Sequence, residues 1–98
     1  MIRHVVVLTL ADGTEPAARD AMIAALRSLT EEIPEISSCV VGVDAGLAEG
    51  NAEVLLQLDF DDEGAWRRYQ SHPAHKRVIA DHIRPVLAAR AAIQVLVT

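Results

Sequence analysis

The spacing of apolar positions predicts strands and helices in alternation. Residues 2–10 are dominated by Val, Ile and Leu, which favours a strand, and both alternating faces of that strand are largely apolar. From residue 14 to 32 the apolar side chains recur at intervals of three and four, which is typical of a helix with one buried face. We expect Thr14 to cap this helix, Pro16 to fit its first turn and Pro34 to end it.

The rest of the chain predicts three more strands, and helical structure before the last of them. The strand segments are 36–43, 53–60 and 91–97. Asp61 or Asp62 is expected to cap a short helix, because a carboxylate can accept a hydrogen bond from a free N–H of the first turn. Pro73 begins a second helical stretch, with Ser71 or His72 as the expected cap, and Pro85 bends or ends it.

The resulting order, strand, helix, strand, strand, helix, strand, predicts an α+β protein with the ferredoxin-like βαββαβ plan, in one domain spanning residues 1–98. Right-handed crossovers place the helices on one face of a four-stranded antiparallel sheet. The opposite face is then bare, although the strands are apolar there too. A second copy of the chain is the simplest cover, so we predict a homodimer in which two sheets form an α+β barrel.

Composition and charge narrow the classes of partner. The net charge of −5 disfavours nucleic acid and anionic membranes, since phosphate binding depends on clustered Lys and Arg. No apolar stretch approaches the roughly 20 residues that cross a bilayer, and no secretion signal is recognised. Cys39 is the only cysteine, which fits a reduced, cytoplasmic protein. Eight of the nine basic residues are Arg, and with the abundant Ala this hints at a GC-rich bacterial genome.

Candidate chemistry is concentrated in Tyr69-Gln70-Ser71-His72-Pro73-Ala74-His75, where three ionisable rings fall within seven residues. A fourth ring, His4, lies inside the apolar first strand, where a polar side chain needs a hydrogen-bonding partner. If His4 points towards the helices, it can meet this segment. If it points towards a partner subunit, its role is structural.

These residues make the chain resemble, from end to end, the stress-responsive A/B barrel (Dabb) domain family. The segments that carry the resemblance are Ile2-Arg3-His4-Val5-Val6, Ile33-Pro34 with Ile36, the Tyr69 to His75 segment with its His-Pro-Ala-His motif, and Ile83-Arg84-Pro85. The resemblance implies a dimeric α+β barrel with a cavity between sheet and helices in each subunit. It also points to a plant polyketide cyclase of the family, which performs an intramolecular aldol reaction without a cofactor. That enzyme's functional His, Tyr and His match His4, Tyr69 and His75.

The resemblance therefore predicts a small dimeric protein that binds an apolar, carbonyl-bearing small molecule, with cofactor-free proton transfer or aldol cyclisation as its candidate activity. His75 would be the base and Tyr69 the hydrogen-bond donor, while His4 would orient His75 or hold the substrate oxygen. His72, the remaining histidine of the motif, is a candidate ligand-binding residue. The alternatives are a non-enzymatic stress or assembly protein and, on the analogous dimeric barrel, a cofactorless monooxygenase.

Each ring also has a structural interpretation. His72 can cap the helix that Pro73 begins, His75 can be a half-buried histidine with its hydrogen bonds satisfied, and Tyr69 can be a core ring. A metal site is disfavoured, because His75 and His82 would lie about 10 Å apart along a helix axis, too far for one ion. The sequence contains no phosphate-binding glycine loop. We therefore expect neither a metal nor a cofactor.

Overall fold

The computed structural model describes residues 1–97 and contains the predicted order of elements. The elements follow one another in this order: β1 (Ile2–Leu10), α1 (Pro16–Glu32), β2 (Ile36–Val43), β3 (Val54–Phe60), α2 (Glu63–Ser71), α3 (Pro73–Val78), a π-helix (Ile79–Ile83) and β4 (Leu87–Leu96). The four strands form one antiparallel sheet in the order β2-β3-β1-β4. The ferredoxin-like α+β fold is therefore confirmed.

The register of β1 determines which side chains share a face of the sheet. His4 lies opposite Leu58 of β3 and Gln94 of β4. Directly opposed residues of antiparallel strands project from the same face. Alternate residues of β1 are buried: His4, Val6, Leu8 and Leu10. This is the face that packs on the helices, so the histidine belongs to the interior of the subunit.

Helix α1 covers that face with the side predicted from its periodicity. Met22, Leu26, Leu29 and Ile33 are almost fully buried, together with Ile23 one position away. These side chains form a single core with the apolar residues of β1 and β3. The interior of the subunit thus lies between the sheet and its helices.

The opposite face of the sheet is open and apolar. Val40, Ile93 and Val95 project from it with 48%, 59% and 38% of their surface exposed. Its polar part includes an ion pair in which Arg3 Nε donates to Asp59 Oδ1 at 2.9 Å. No element within residues 1–97 covers this face.

Two predictions about element ends were wrong. The N-cap of α1 is Glu15, whose side chain makes no capping bond, because the Thr14 hydroxyl donates to the Ala11 carbonyl instead. Strand β4 spans Leu87–Leu96 rather than 91–97. Its first residues resemble a helix by composition, but pairing along the free edge of β1 holds them extended, with Arg90 opposite Leu8.

Of the two N-cap residues predicted as alternatives for each later helix, the structure has Asp62 at α2 and His72 at α3. Asp62 Oδ1 accepts from the Ala65 N–H at 2.8 Å at the start of α2. His72 Nδ1 accepts from the Ala74 N–H at 3.0 Å at the start of α3. In the part of the chain that the structure describes, no helix has the length and apolar character needed to cross a bilayer.

Candidate functional site

A cavity of about 400 Å³ lies between the sheet and the helices, and three of the four predicted site residues line it. These are His4, Tyr69 and His75. Most of the remaining wall consists of nine Val, Leu and Ile side chains contributed by the strands, α1, α3 and the π-helix. The result is an apolar chamber with a few polar groups that converge on it, which is the usual composition of a small-molecule site.

His4 is held in one tautomer by its neighbours. Its Nδ1 accepts a long hydrogen bond of 3.4 Å from Trp66 Nε1 and lies 2.8 Å from Gln94 Nε2. An indole nitrogen can only donate, so Nδ1 carries no proton and the neutral ring holds its hydrogen on Nε2. Burial lowers the pKa of His4 to about 4, with smaller contributions from the charges of Arg90 and His75. At neutral pH this ring is therefore an N–H donor.

His75 has the opposite arrangement. Its Nδ1 lies 3.1 Å from the carbonyl oxygen of Gln70. A carbonyl can only accept, so Nδ1 bears the hydrogen and the lone pair is on Nε2. Burial lowers the pKa of His75, against a smaller opposing effect of the Gln70 carbonyl. The ring is neutral near pH 7 and presents an acceptor nitrogen.

Tyr69 lies between the two histidines. Its ring centroid is 5.8 Å from that of His4 and 4.3 Å from that of His75. Burial raises the pKa of its hydroxyl well above the usual value, so the group remains a donor. Within residues 1–97, Arg19 Nε is the one fully buried side-chain nitrogen or oxygen without a hydrogen-bond partner. The Tyr69 hydroxyl is therefore either hydrogen-bonded or accessible to solvent.

Together these rings place a proton acceptor and two donors around one apolar chamber. A neutral imidazole can remove a proton next to a carbonyl, and N–H and O–H donors can stabilise the negative charge that develops on the oxygen. Because each tautomer is determined by a hydrogen bond on the far side of its ring, the roles are assigned before any ligand binds. The site can therefore support acid–base chemistry without a cofactor.

His72 is not part of the cavity wall. Its side chain is half-buried and caps α3 through the Ala74 N–H. Capping accounts for the contacts seen, and the ligand-binding role stays a prediction. Within residues 1–97, no three His, Cys, Asp or Glu side chains lie close enough to hold a metal ion.

Sequence reasoning missed the groups that tune the site. Trp66 and Gln94 orient His4, while Gln70, Arg84 and Arg90 complete the polar part of the wall. Gln94 left a signal, because it interrupts an apolar strand and the antiparallel plan can pair it with His4. The role of Trp66 could not be predicted from the sequence, since its hydrogen bond joins residues 62 positions apart and depends on how α2 packs.

The fold and the cavity define a ferredoxin-like α+β protein with a chamber under one face of its sheet. The family model described as the stress-responsive A/B barrel domain matches residues 2–97. The chain therefore belongs to the stress-responsive A/B barrel domain family. A search among curated proteins found no match.

Solved structures share this architecture. A dimeric ferredoxin-like protein of unknown function from Thermobifida fusca is 38% identical, with a TM-score of 0.90 over 98% of this chain and 90% of that chain. A Dabb family protein with a ferredoxin-like fold from Mesorhizobium loti is 20% identical, with a TM-score of 0.83 over 99% and 96% of the two chains. A hydroxynitrile lyase from Passiflora edulis is 16% identical, with a TM-score of 0.87 over 99% and 93%. The last two likenesses show the fold alone.

Proposed function

We propose that this protein is a homodimeric small-molecule binding protein that takes an apolar, carbonyl-bearing compound into the chamber and catalyses cofactor-free proton transfer next to the carbonyl. One observation carries the proposal: two neutral histidines in opposite tautomers line the same apolar cavity, with a tyrosine between them.

The chemistry is an aldol cyclisation of the polyketide-cyclase type. His75 Nε2 removes a proton from the carbon next to a carbonyl, and the electron pair of the C–H bond moves onto the carbonyl oxygen. The Tyr69 hydroxyl and His4 Nε2–H donate to that oxygen. The enolate carbon then attacks a second carbonyl of the same molecule to form the new C–C bond. The proton on His75 passes to the resulting alkoxide and restores the neutral ring, so the step balances without a co-reactant.

The homodimer follows from the open face of the sheet. Val40, Ile93 and Val95 form part of an apolar surface that water would otherwise cover, and burying such surface stabilises an assembly by about 25 cal/mol per Å². The 38% identical Thermobifida protein is described as dimeric. Pairing through this face leaves the chamber, on the other side of the sheet, available in each subunit.

Proton exchange in D₂O tests the proposed activity directly. Octan-2-one is apolar and enolises slowly in water, and NMR follows the loss of its protons next to the carbonyl. We expect the wild-type protein to accelerate exchange, and His75→Gln to reduce the rate by about 100-fold or more, as for loss of a general base. His82→Gln is the matched control, because His82 lies on the π-helix outside the cavity wall.

The same experiment separates the proposal from a purely structural role. Equal exchange rates with wild type and His75→Gln would contradict base catalysis by this ring. Binding of octan-2-one without exchange, measured through the fluorescence of the single tryptophan, Trp66, would contradict the enzymatic part and favour a binding protein. If octan-2-one neither binds nor exchanges its protons, the result would favour the non-enzymatic alternative, in which the histidines only hold helix to sheet.

A further inference from the structure

The polar part of the cavity wall has a charge opposite to that of the protein as a whole. The chain has a net charge of −5 and fourteen acidic residues, yet no Asp or Glu lines the cavity. Arg84 and Arg90 do line it, and both side chains are exposed at its mouth. An Arg guanidinium keeps its positive charge in proteins, so the entrance is cationic while the interior is neutral and apolar.

Both arginines are available to a ligand. Within residues 1–97, neither forms an ion pair, whereas Arg3, Arg67 and Arg77 each have a carboxylate partner. The backbone also fixes where the two side chains begin. Arg90 stands opposite Leu8 on the helix-covered face of β4, and the N–H of Arg84 donates to the Ile79 carbonyl at 2.8 Å at the end of the π-helix.

The charge of Arg90 reaches the reactive rings. Its electrostatic effect lowers the pKa of His4, of Tyr69 and of His75, in each case as a secondary cause after burial. Arg90 and the three rings line the same cavity, so a negative group bound by Arg90 can belong to the ligand that contacts the rings.

We propose that the ligand of this chamber carries an anionic group, a carboxylate or a phosphate, which Arg84 and Arg90 bind at the mouth while the apolar, carbonyl-bearing part lies inside. This inference rests on the proposed function and adds the substrate class to it. The planar guanidinium binds carboxylate and phosphate through paired hydrogen bonds. The Val, Leu and Ile wall would penalise a charge placed deeper, because an unpaired ion is costly in apolar surroundings.

Ligands that have similar alkyl chains and differ in the charge of the head group test the contribution of that charge to binding. Octanoate, octyl phosphate and the neutral octanamide each have eight carbons in a linear chain, which includes the carboxyl or amide carbon of the first and the last. Their dissociation constants can be measured by calorimetry and by the fluorescence of Trp66. We expect at least one of the anions to bind about tenfold more tightly than octanamide, which is the range of an exposed charge-assisted contact. The tighter of the two anions identifies carboxylate or phosphate as the preferred group.

Substitution of the arginines supplies the second arm. Arg84→Gln with Arg90→Gln should bring the affinity for the anions down to that for octanamide and leave octanamide unchanged. Arg77→Gln is the matched control, because Arg77 is exposed, pairs with Glu32 and does not line the cavity. Added salt should weaken anion binding to the wild type and have little effect on the double variant.

The outcomes distinguish this inference from the proposed function. Equal affinity for octanamide and both anions, or a preference for the anions that survives the double substitution, would overturn the inference and leave the chamber a binding site. Proton exchange on octan-2-one without any preference for the anions would likewise overturn the inference and leave the proposed function in place. Failure of all three eight-carbon ligands and of octan-2-one to bind would overturn the proposed binding function itself.

Discussion

At the scale of single residues, hydrogen bonds give two chemically identical rings, His4 and His75, different roles. Trp66 can only donate, so His4 must accept at Nδ1, whereas the Gln70 carbonyl can only accept, so His75 must donate at Nδ1. Burial lowers the pKa of both rings and keeps them neutral. The acid–base character of the site therefore comes from the hydrogen-bond partners of the two rings.

Burial of His4 makes the stability of the protein depend on pH. The pKa is about 4 in the folded protein against 6.5 for the free side chain, so between these values the unfolded chain binds the proton more readily. The His4 contribution is fully present above pH 6.5 and is lost as the pH falls towards 4. Between pH 7 and pH 4 the wild type should lose about 3 kcal/mol more unfolding free energy than His4→Gln.

Urea unfolding of both proteins across this pH range measures the difference. His75 titrates in the same direction and is present in both proteins, so most of its contribution cancels, since its charge is only a smaller cause of the His4 shift. Parallel losses of stability in the wild type and in His4→Gln would contradict a buried, neutral His4.

Two substitutions of Tyr69 distinguish the role of its ring in packing from the role of its hydroxyl in the proposed chemistry. Removing the hydroxyl with Tyr69→Phe keeps the ring against Phe60, whose centroid is 5.2 Å away, so the unfolding free energy should change by less than about 1 kcal/mol. Proton exchange on octan-2-one should fall by about 10-fold to 100-fold, because a donor to the developing oxyanion is lost. Tyr69→Ala should instead cost about 3–5 kcal/mol of stability. An unchanged exchange rate in Tyr69→Phe would remove the hydroxyl from the mechanism.

At the scale of elements, the junction between α2 and α3 positions both Tyr69 and His75. His72 ends α2, and its side chain caps α3 just before Pro73. This short break turns the chain so that the last turn of one helix and the first turns of the next face the same chamber. The His-Pro-Ala-His motif therefore builds the site even where its first histidine makes no contact with the cavity.

Loss of the cap should weaken this junction. His72→Ala leaves the Ala74 N–H without its partner and should reduce the unfolding free energy by about 1 kcal/mol, whereas His72→Asn should retain most of it, since Asn is a good N-cap residue. Chemical denaturation measures both variants. If ligand affinity fell sharply in His72→Asn while its stability was kept, His72 would have the ligand-binding role predicted from the sequence.

The sequence predicted most elements because their signals are local. The periodicity of α1, the prolines at its ends and the apolar β1 each depend on neighbouring residues alone. The first part of β4 was missed because the extended form of Ala88, Ala89 and Arg90 depends on pairing with β1. The π-helix was missed for a similar reason, since its i to i+5 pattern leaves no distinctive spacing in the sequence.

The candidate site was predictable in part for the same reason. The Tyr69 to His75 segment is visible as a motif, and His4 as a polar residue in an apolar strand. That these rings share one cavity depended on the face that β1 turns towards the helices, which the sequence left open. The tautomers depended on Trp66 and on the Gln70 carbonyl, which only the packed structure brings into place.

At the scale of the whole molecule, one sheet separates two surfaces with different roles. The face under the helices forms the core and the chamber, and the open face presents Val40, Ile93 and Val95. We propose that the open face joins two copies, so that assembly and ligand binding use opposite sides of the same strands.

A charge on the open face should prevent this pairing. Ile93→Asp places a carboxylate on the apolar surface, and a buried unpaired charge opposes association. Sedimentation velocity should show a dimer for the wild type and a monomer, or a much weaker dimer, for the variant. Leu47→Asp is the control, because Leu47 is 89% exposed in the loop after β2. A wild type that sediments as a monomer at all concentrations would contradict the proposed assembly.

The proposed chemistry requires that His4 and His75 are neutral and hold opposite tautomers around one chamber. Nitrogen-15 NMR of the four histidines at pH 7, assigned with His4→Gln and His75→Gln, reads the protonation of each ring nitrogen directly. We expect hydrogen on Nε2 of His4 and on Nδ1 of His75. Two rings with the same tautomer, or a charged imidazolium at either position, would contradict the proposed chemistry.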